Sequence, residues 1–291
     1  ILPGTRNPAT DSSSIIPMVI QKEQGKEMAV FISDEVKLTD KISLQTGLRY
    51  ARYNYLGPKT VYQYEPGVPL SRETITDSTS YSKNQSIQNY GGLEPRVSLK
   101  IGIRDDLSLK LSYNRGQQFL HLISNTTAIS PVDFWKLSDN YINRQIGDQY
   151  AAGLFRSFKE SLYEASVEVY YRTTKNTVQY KDGGVLLLNP YIETALLNAK
   201  GRAYGIEFSV AKNVGKYTWQ VNYTYSKSEV QVITSYPSET VNEGKYYPAD
   251  IDRPHSLALM GKIKLGRGWS FSSNFIFTSG RPATYPDGNY S

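Results

Sequence analysis

The sequence predicts an all-β fold: a section of an antiparallel transmembrane β-barrel of about ten strands, with short periplasmic turns and long extracellular loops. Apolar and polar residues alternate with a period of two over segment after segment. The connections between those segments alternate between tight turns and long polar stretches. The third observation is compositional: 24 tyrosines stand against 3 methionines and no cysteine. Rings with one apolar and one polar end suit pleated surfaces and membrane interfaces.

Taken in order, segments 30–38 and 42–50 flank the turn Thr39-Asp40-Lys41, and 96–103 and 107–114 flank Arg104-Asp105-Asp106. Segments 148–158 and 162–172 flank Lys159-Glu160-Ser161; 203–212 and 216–229 meet at residues 213–216; 256–265 and 269–278 flank Gly266-Arg267-Gly268. The turns hold charged or turn-forming residues. Between the pairs lie polar stretches at 57–90, 118–145, 174–202 and 228–253. Loops this long, all on one side of an antiparallel sheet, match the outer side of a barrel.

Parity assigns the faces. In 216–229, Tyr217, Trp219, Val221, Tyr223 and Tyr225 alternate with Thr218, Gln220, Asn222, Thr224 and Ser226. In 162–172, Tyr163 and Tyr171 bracket Ala165, Val167 and Val169. The eight steps from Tyr163 to Tyr171, at ~3.3 Å each and a tilt near ~40°, cover roughly 20 Å of membrane normal, comparable to an apolar band of about 25 Å. Tyr163, Tyr171, Tyr217, Trp219, Tyr223, Tyr225 and Trp269 therefore form interfacial girdles. The opposite parity places Arg49, Lys110, Glu164, Glu168, Glu207, Lys262 and Lys264 toward a wet lumen, where they solvate the interior or line a substrate path. His121, Phe134 and Trp135 lie in a long outer loop and are candidates for a ligand mouth, or pack that loop in place.

Both ends of the strand series lie on the outer side. Residues 1–26 and 281–291 are thus expected to be remnants of outer loops, and 27–280 part of a larger barrel, because an unpaired strand edge in lipid is intolerable.

Composition excludes several functions. The net charge of +6 is spread among interleaved acids and bases, with no basic stripe for nucleic acid. Without cysteine there are no thiolate ligands or nucleophiles, and the two histidines have neither metal-ligand spacing nor a GxSxG serine beside them. No enzyme activity, metal or cofactor is expected. Mean hydropathy is −0.46, and no apolar run approaches the ~20 residues of a membrane helix.

Several stretches resemble the β-barrel of TonB-dependent outer-membrane receptors of the kind found in Bacteroidetes. They are DEVKLTDKISLQTGLRY at 34–50, EPRVSLK at 94–100, LSYNRGQQFLHLISN at 111–125, DQY at 148–150, YPADIDRPHSL at 247–257 and SGRPATYPDG at 279–288. The resemblance implies a bacterial outer-membrane location and a barrel of about 22 strands plugged by an N-terminal domain absent from this chain. It implies active import of a nutrient, whether siderophore, cobalamin, peptide or glycan, driven through the TonB system. The implied partners are the lipid bilayer, TonB by way of the plug, a small or oligomeric nutrient and, in some members, a surface lipoprotein. Two other readings stay open on the residues alone: a passive or adhesive barrel, and a soluble sandwich whose apolar faces meet across about 10 Å.

Overall fold

At the inner end of the sheet, backbone sign changes force the chain back on itself. Lys159, Glu160 and Ser161 have φ of 49°, 56° and 67°, and Gly266, Arg267 and Gly268 have φ of 90°, 50° and 82°. Glycine adopts this left-handed region without a Cβ clash, which suits the flanks of the last turn. At the first turn, the Thr39 hydroxyl accepts hydrogen bonds from the backbone N–H of Lys41 (3.2 Å) and Ile42 (3.1 Å).

The computed structural model describes residues 5–6, 18–19, 21–123, 134–181, 183–186 and 189–283. Ten long strands form one antiparallel meander: β1 (Gln24–Thr39), β2 (Ile42–Leu56), β3 (Ser86–Arg104), β4 (Leu107–Gln118) and β5 (Gln145–Phe158), then β6 (Tyr163–Tyr180), β7 (Leu196–Lys212), β8 (Tyr217–Gln231), β9 (His255–Gly266) and β10 (Trp269–Thr278). A short strand, Tyr247–Pro248, adds to the outer end of β8. All ten strands coincide with the alternating segments of the sequence. No helix among the described residues is long and apolar enough to cross a membrane, which leaves crossing to the strands.

One register row crosses the whole sheet: Lys37, Ser43, Lys100, Lys110, Gly153, Glu168, Glu207, Thr224, Ser256 and Thr278 are successive partners. On β1 the row lies two residues from the inner end, and on β10 it lies nine residues out. The offset is roughly 23 Å along the strands against roughly 43 Å across them, a tilt near ~30°, close to that of strands in closed barrels.

The sheet curls around the polar face. A concavity of about 920 Å³ near the inner turns is lined by Lys37 of β1, Lys100 of β3, Phe155 of β5, Glu164 of β6 and Gln220 of β8. The other face is apolar and exposed, with Leu93, Val97, Leu154, Val169, Phe208 and Leu259 among its residues. A soluble sandwich would bury that face. In this single sheet it forms a continuous outer belt, and lipid is the solvent that suits it.

The expected strands end too early on the outer side. Strand β6 has 18 residues, roughly 45 Å along the axis at a tilt of ~40°, well beyond an apolar band of about 25 Å. The long connections also carry structure, including the hairpins Lys59–Tyr64 with Ile75–Tyr81 and Leu120–Ile123 with Phe134–Leu137. The expected loop segments 1–26 and 281–291 fall largely outside the described residues, and Gln24, Gly25 and Lys26 already belong to β1.

Candidate functional site: the outer vestibule and lumen wall

The sheet splits above its middle. Pairing of β3 with β4 ends at Arg96 and Asn114, next to Pro95, which has no N–H to offer a ladder. Above this point β3 pairs only with β2, and β4 only with β5. The Arg144 guanidinium donates to the Gly91 carbonyl across the gap and lies 5.6 Å over the Tyr90 ring.

The hairpin of Leu120–Ile123 and Phe134–Leu137 folds into the split, toward the concave side. Ahead of it, Phe119 stacks on Tyr53 with centroids 4.8 Å apart and planes within 4°. The Tyr53 hydroxyl donates to the Ser138 carbonyl at 3.2 Å, and the Tyr90 hydroxyl to the Asp139 carbonyl at 2.6 Å. Ala51, Tyr53, Tyr55 and Phe119 form a buried cluster where the wall meets the loop.

The hairpin has two faces. His121 pairs with Lys136 and both point into the protein, while Leu122 pairs with Trp135 on the other side. Lys136 is 3% exposed; its ammonium binds Glu23 and, at 2.6 Å, Asp139. Glu23 also accepts from the Tyr55 hydroxyl (3.0 Å), Lys59 (2.9 Å) and the Leu137 N–H (3.0 Å). Burial alone would raise the Glu23 pKa, but the charges of Lys136 and Lys59 outweigh it and hold the carboxyl down to about 2. Burial likewise opposes the charge on Lys136, and Asp139 and Glu23 reverse that, so it stays an ammonium well above the ordinary lysine range. Burial and the Lys136 charge push His121 down to about 4, so it is neutral at pH 7.

His121 therefore does not face the mouth. It is 3% exposed, with Nε2 2.8 Å from the Ser138 hydroxyl, because its parity on the hairpin turns it toward the wall. Trp135 is 50% exposed and stands at the surface. Phe134 opens its strand, and its side chain lies outside the described residues.

The neighbouring loops lock onto this hairpin. Ile123 packs with Ile142, Leu186, Ile192 and Leu196. The Tyr64 hydroxyl donates to Glu193 at 2.7 Å, and the Tyr62 and Tyr191 rings lie 4.9 Å apart. A cavity of about 250 Å³ remains between the loops, bordered by Tyr141, Lys181, Glu193, Ile233, Tyr236 and Glu239.

Below the vestibule, the register sets Arg49, Lys110, Glu164, Glu168, Glu207, Lys262 and Lys264 on one face, the concave one. Arg49 is not free there: its guanidinium binds Glu94 at 2.7 Å and Glu27 at 2.8 Å. Glu94 is 2% exposed and also accepts the Gln117 N–H. The Gln117 amide itself is buried against Gly92 without a hydrogen-bond partner among the described residues. The Lys110 ammonium lies 4.3 Å over the Phe155 ring, and Glu164 accepts from Asn213 at 2.9 Å. Lys100 and Lys110 are direct partners, as are Glu168 and Glu207, so the wall is basic on one side of Gly153 and acidic on the other.

On the outer face the rings gather at two levels. Tyr163 and Trp219 lie 6.4 Å apart near the inner turns. Nearer the loops, His255 sits between Tyr223 and Tyr225, accepting or donating at Nδ1 to the Tyr223 hydroxyl at 2.8 Å. Trp219, Tyr225, Tyr171, Tyr217 and Trp269 are exposed. Among the described residues no group of three or more His, Cys, Asp or Glu is arranged to hold a metal ion.

Sequence reasoning missed the anchor of Glu23, Lys136 and Asp139. One signal was available: alternation continues through Ala51, Tyr53 and Tyr55, which carries β2 past Tyr50 and puts two rings on the polar face.

The family model described as TonB dependent receptor-like, beta-barrel matches residues 3–291. The chain belongs to this family. A TonB-dependent receptor barrel is a protein of the bacterial outer membrane, and its apolar belt is the lipid-facing surface. Solved structures share the fold at low identity. The FrpB iron transporter from Neisseria meningitidis (F3-3 variant) is 12% identical with a TM-score of 0.52, covering 83% of this chain and 31% of its own. The copper transporter OprC is 14% identical with a TM-score of 0.55, covering 92% and 37%. The siderophore receptor PiuA from Acinetobacter baumannii is 14% identical with a TM-score of 0.54, covering 87% and 33%. The chain thus spans about a third of the length of these structures. No curated protein matches it.

Proposed function

We propose that this chain is wall and vestibule of an active importer: a nutrient is captured by the outer loops and passes down the concave face when TonB displaces a plug supplied by another part of the polypeptide. The observation that carries the reading is the loop anchor. The outer loops fold inward onto the wall and enclose a vestibule above a charged lumen, an arrangement suited to capture before passage. In this reading Trp135 and its neighbours contact ligand. Lys110, Glu168, Glu207, Lys262 and Lys264 line its path, while Arg49 braces the wall. The cargo is a siderophore, cobalamin, peptide or glycan, and a surface lipoprotein is a candidate partner.

The test uses the full-length receptor in cells. Deleting the segment that contacts TonB abolishes uptake and leaves surface binding intact. Undiminished uptake after that deletion is the behaviour of a passive porin and defeats the importer reading.

A further inference from the structure

The cavity of about 250 Å³ between the outer loops is bordered by a carboxylate that no cation balances. Glu193 lies in the short 3-10 helix Ile192–Ala195, directly before β7. Its carboxylate accepts the Tyr64 hydroxyl at 2.7 Å and makes no ion pair among the described residues. The lysines that fold into these loops are held by other carboxylates: Lys136 by Glu23 and Asp139, and Lys181 by Glu239. Burial raises the Glu193 carboxyl above its ordinary range, against its own N–H and the Tyr64 hydroxyl, which favour the ionised form. A carboxylate taken out of water without a cation is costly, and a ligand that brings the cation removes that cost.

The rest of the lining suits one kind of cation. Lys181 and Glu239 cancel each other, so Glu193 leaves the cavity wall with a single negative charge. Leu196, Leu197 and Ile233 offer apolar surface to a stem, and Tyr141 and Tyr236 border the same space. A carboxylate gives an ammonium a charge-assisted hydrogen bond, and a ring face attracts it further. One Glu193 oxygen is already taken by Tyr64, so a compact ammonium fits better than a guanidinium fork, which needs both. The volume falls below the ~300–1,000 Å³ of ordinary small-molecule pockets, so it suits a small amine or a single side arm.

We propose that this inter-loop cavity is a binding site for a primary alkylammonium group, with Glu193 as the counter-ion. The site rests on the geometry of the loops and not on the importer reading, so a receptor that proved to be a passive channel would still bind the amine.

Isothermal titration calorimetry on the full-length receptor in detergent compares two matched pairs: 5-aminopentanol with pentanediol, and Nα-acetyl-lysine amide with its Nε-acetylated form. The amine outbinds its neutral counterpart by about 10-fold or more, and because this is read on the wild type it does not depend on the folding of any variant. Binding of the lysine derivative supports a peptide side chain as the source of the ammonium; binding of the free amine alone supports a small soluble amine. Glu193→Gln, which still offers the Tyr64 hydroxyl an acceptor, weakens amine binding about 10- to 100-fold, the range for a hydrogen bond to a charged group. Glu243→Gln removes an exposed carboxylate from a neighbouring loop and leaves the affinity unchanged. Equal affinity for an amine and its neutral counterpart, equal affinity of the wild type and Glu193→Gln, or an equal loss in Glu243→Gln overturns the proposal.

Discussion

Replacing Lys136 by methionine removes the cation at the centre of the vestibule anchor while keeping most of its volume. Glu23 and Asp139 then remain as buried charges without their shared partner. Breaking a buried pair from one side costs about 3–5 kcal/mol, chiefly because the surviving charge is stranded. The structure argues for the lower end. Glu23 keeps Lys59, the Tyr55 hydroxyl and the Leu137 N–H, and Asp139 keeps the N–H groups of Tyr141 and Ile142 at 2.8 Å. A local loss of about 3 kcal/mol raises the open population of the hairpin roughly 100-fold. Hydrogen exchange on the full-length receptor reads this directly: residues 119–123 and 134–143 lose protection in Lys136→Met, while the inner turn at Gly266 keeps its own. Adding Glu23→Gln to that variant removes one stranded charge and recovers part of the protection. Unchanged exchange in the hairpin, or an equal change at the inner turn, refutes the idea that Lys136 pins the loop to the wall.

Other outcomes follow from the assignment of faces and from the buried histidine. Val221→Arg, on the lipid side opposite Val210 and Leu259, costs about 2–4 kcal/mol in a detergent-to-lipid folding equilibrium. Gln220→Arg, which lines the inner concavity, is close to neutral, and equal costs would mean the faces are reversed. His121 has a folded pKa near 4 against an ordinary 6.5, so the unfolded loop binds more protons between those values. Hairpin stability is full above about pH 6.5 and falls by about 2–3 kcal/mol as the pH drops through 4. Exchange at pH 7 and pH 5 measures it, and His121→Gln flattens the dependence. Glu23 acts at lower pH: its contribution is complete above about pH 4.5 and is lost as the pH falls through 2, seen as late loss of Trp135 fluorescence anisotropy.

The strands were legible because lipid on one side and water on the other enforce a period of two, and every residue in a stretch such as 217–226 repeats the same statement. The turns were legible from charged and glycine residues that tolerate positive φ. The outer ends were not. Above the girdle both faces meet water or protein, the apolar-outward rule lapses, and Tyr53 and Tyr55 appear with the parity of the lumen. The vestibule was least legible of all. Glu23 and Lys136 are separated by 113 positions, and a single ion pair has no periodicity to announce it. His121 shows the same limit: its place in an outer loop was evident, but its burial depends on which hairpin face meets the wall.

The chemistry of the anchor follows from what the barrel has to offer. An inward-folded loop finds little apolar surface on the wall, because the apolar parity is committed to lipid and the lumen wall is mostly polar. The loop must then be held by the few rings that the wall carries inward, Tyr53, Tyr55 and Tyr90, and by charge pairs desolvated between them. Apolar packing tolerates sliding, whereas Lys136, already paired locally with Asp139, finds Glu23 at only one register of the hairpin. A barrel that presents water-loving walls thus gains a loop fixed in position by electrostatics, with the exposed hairpin face, Trp135 included, aimed away from the wall.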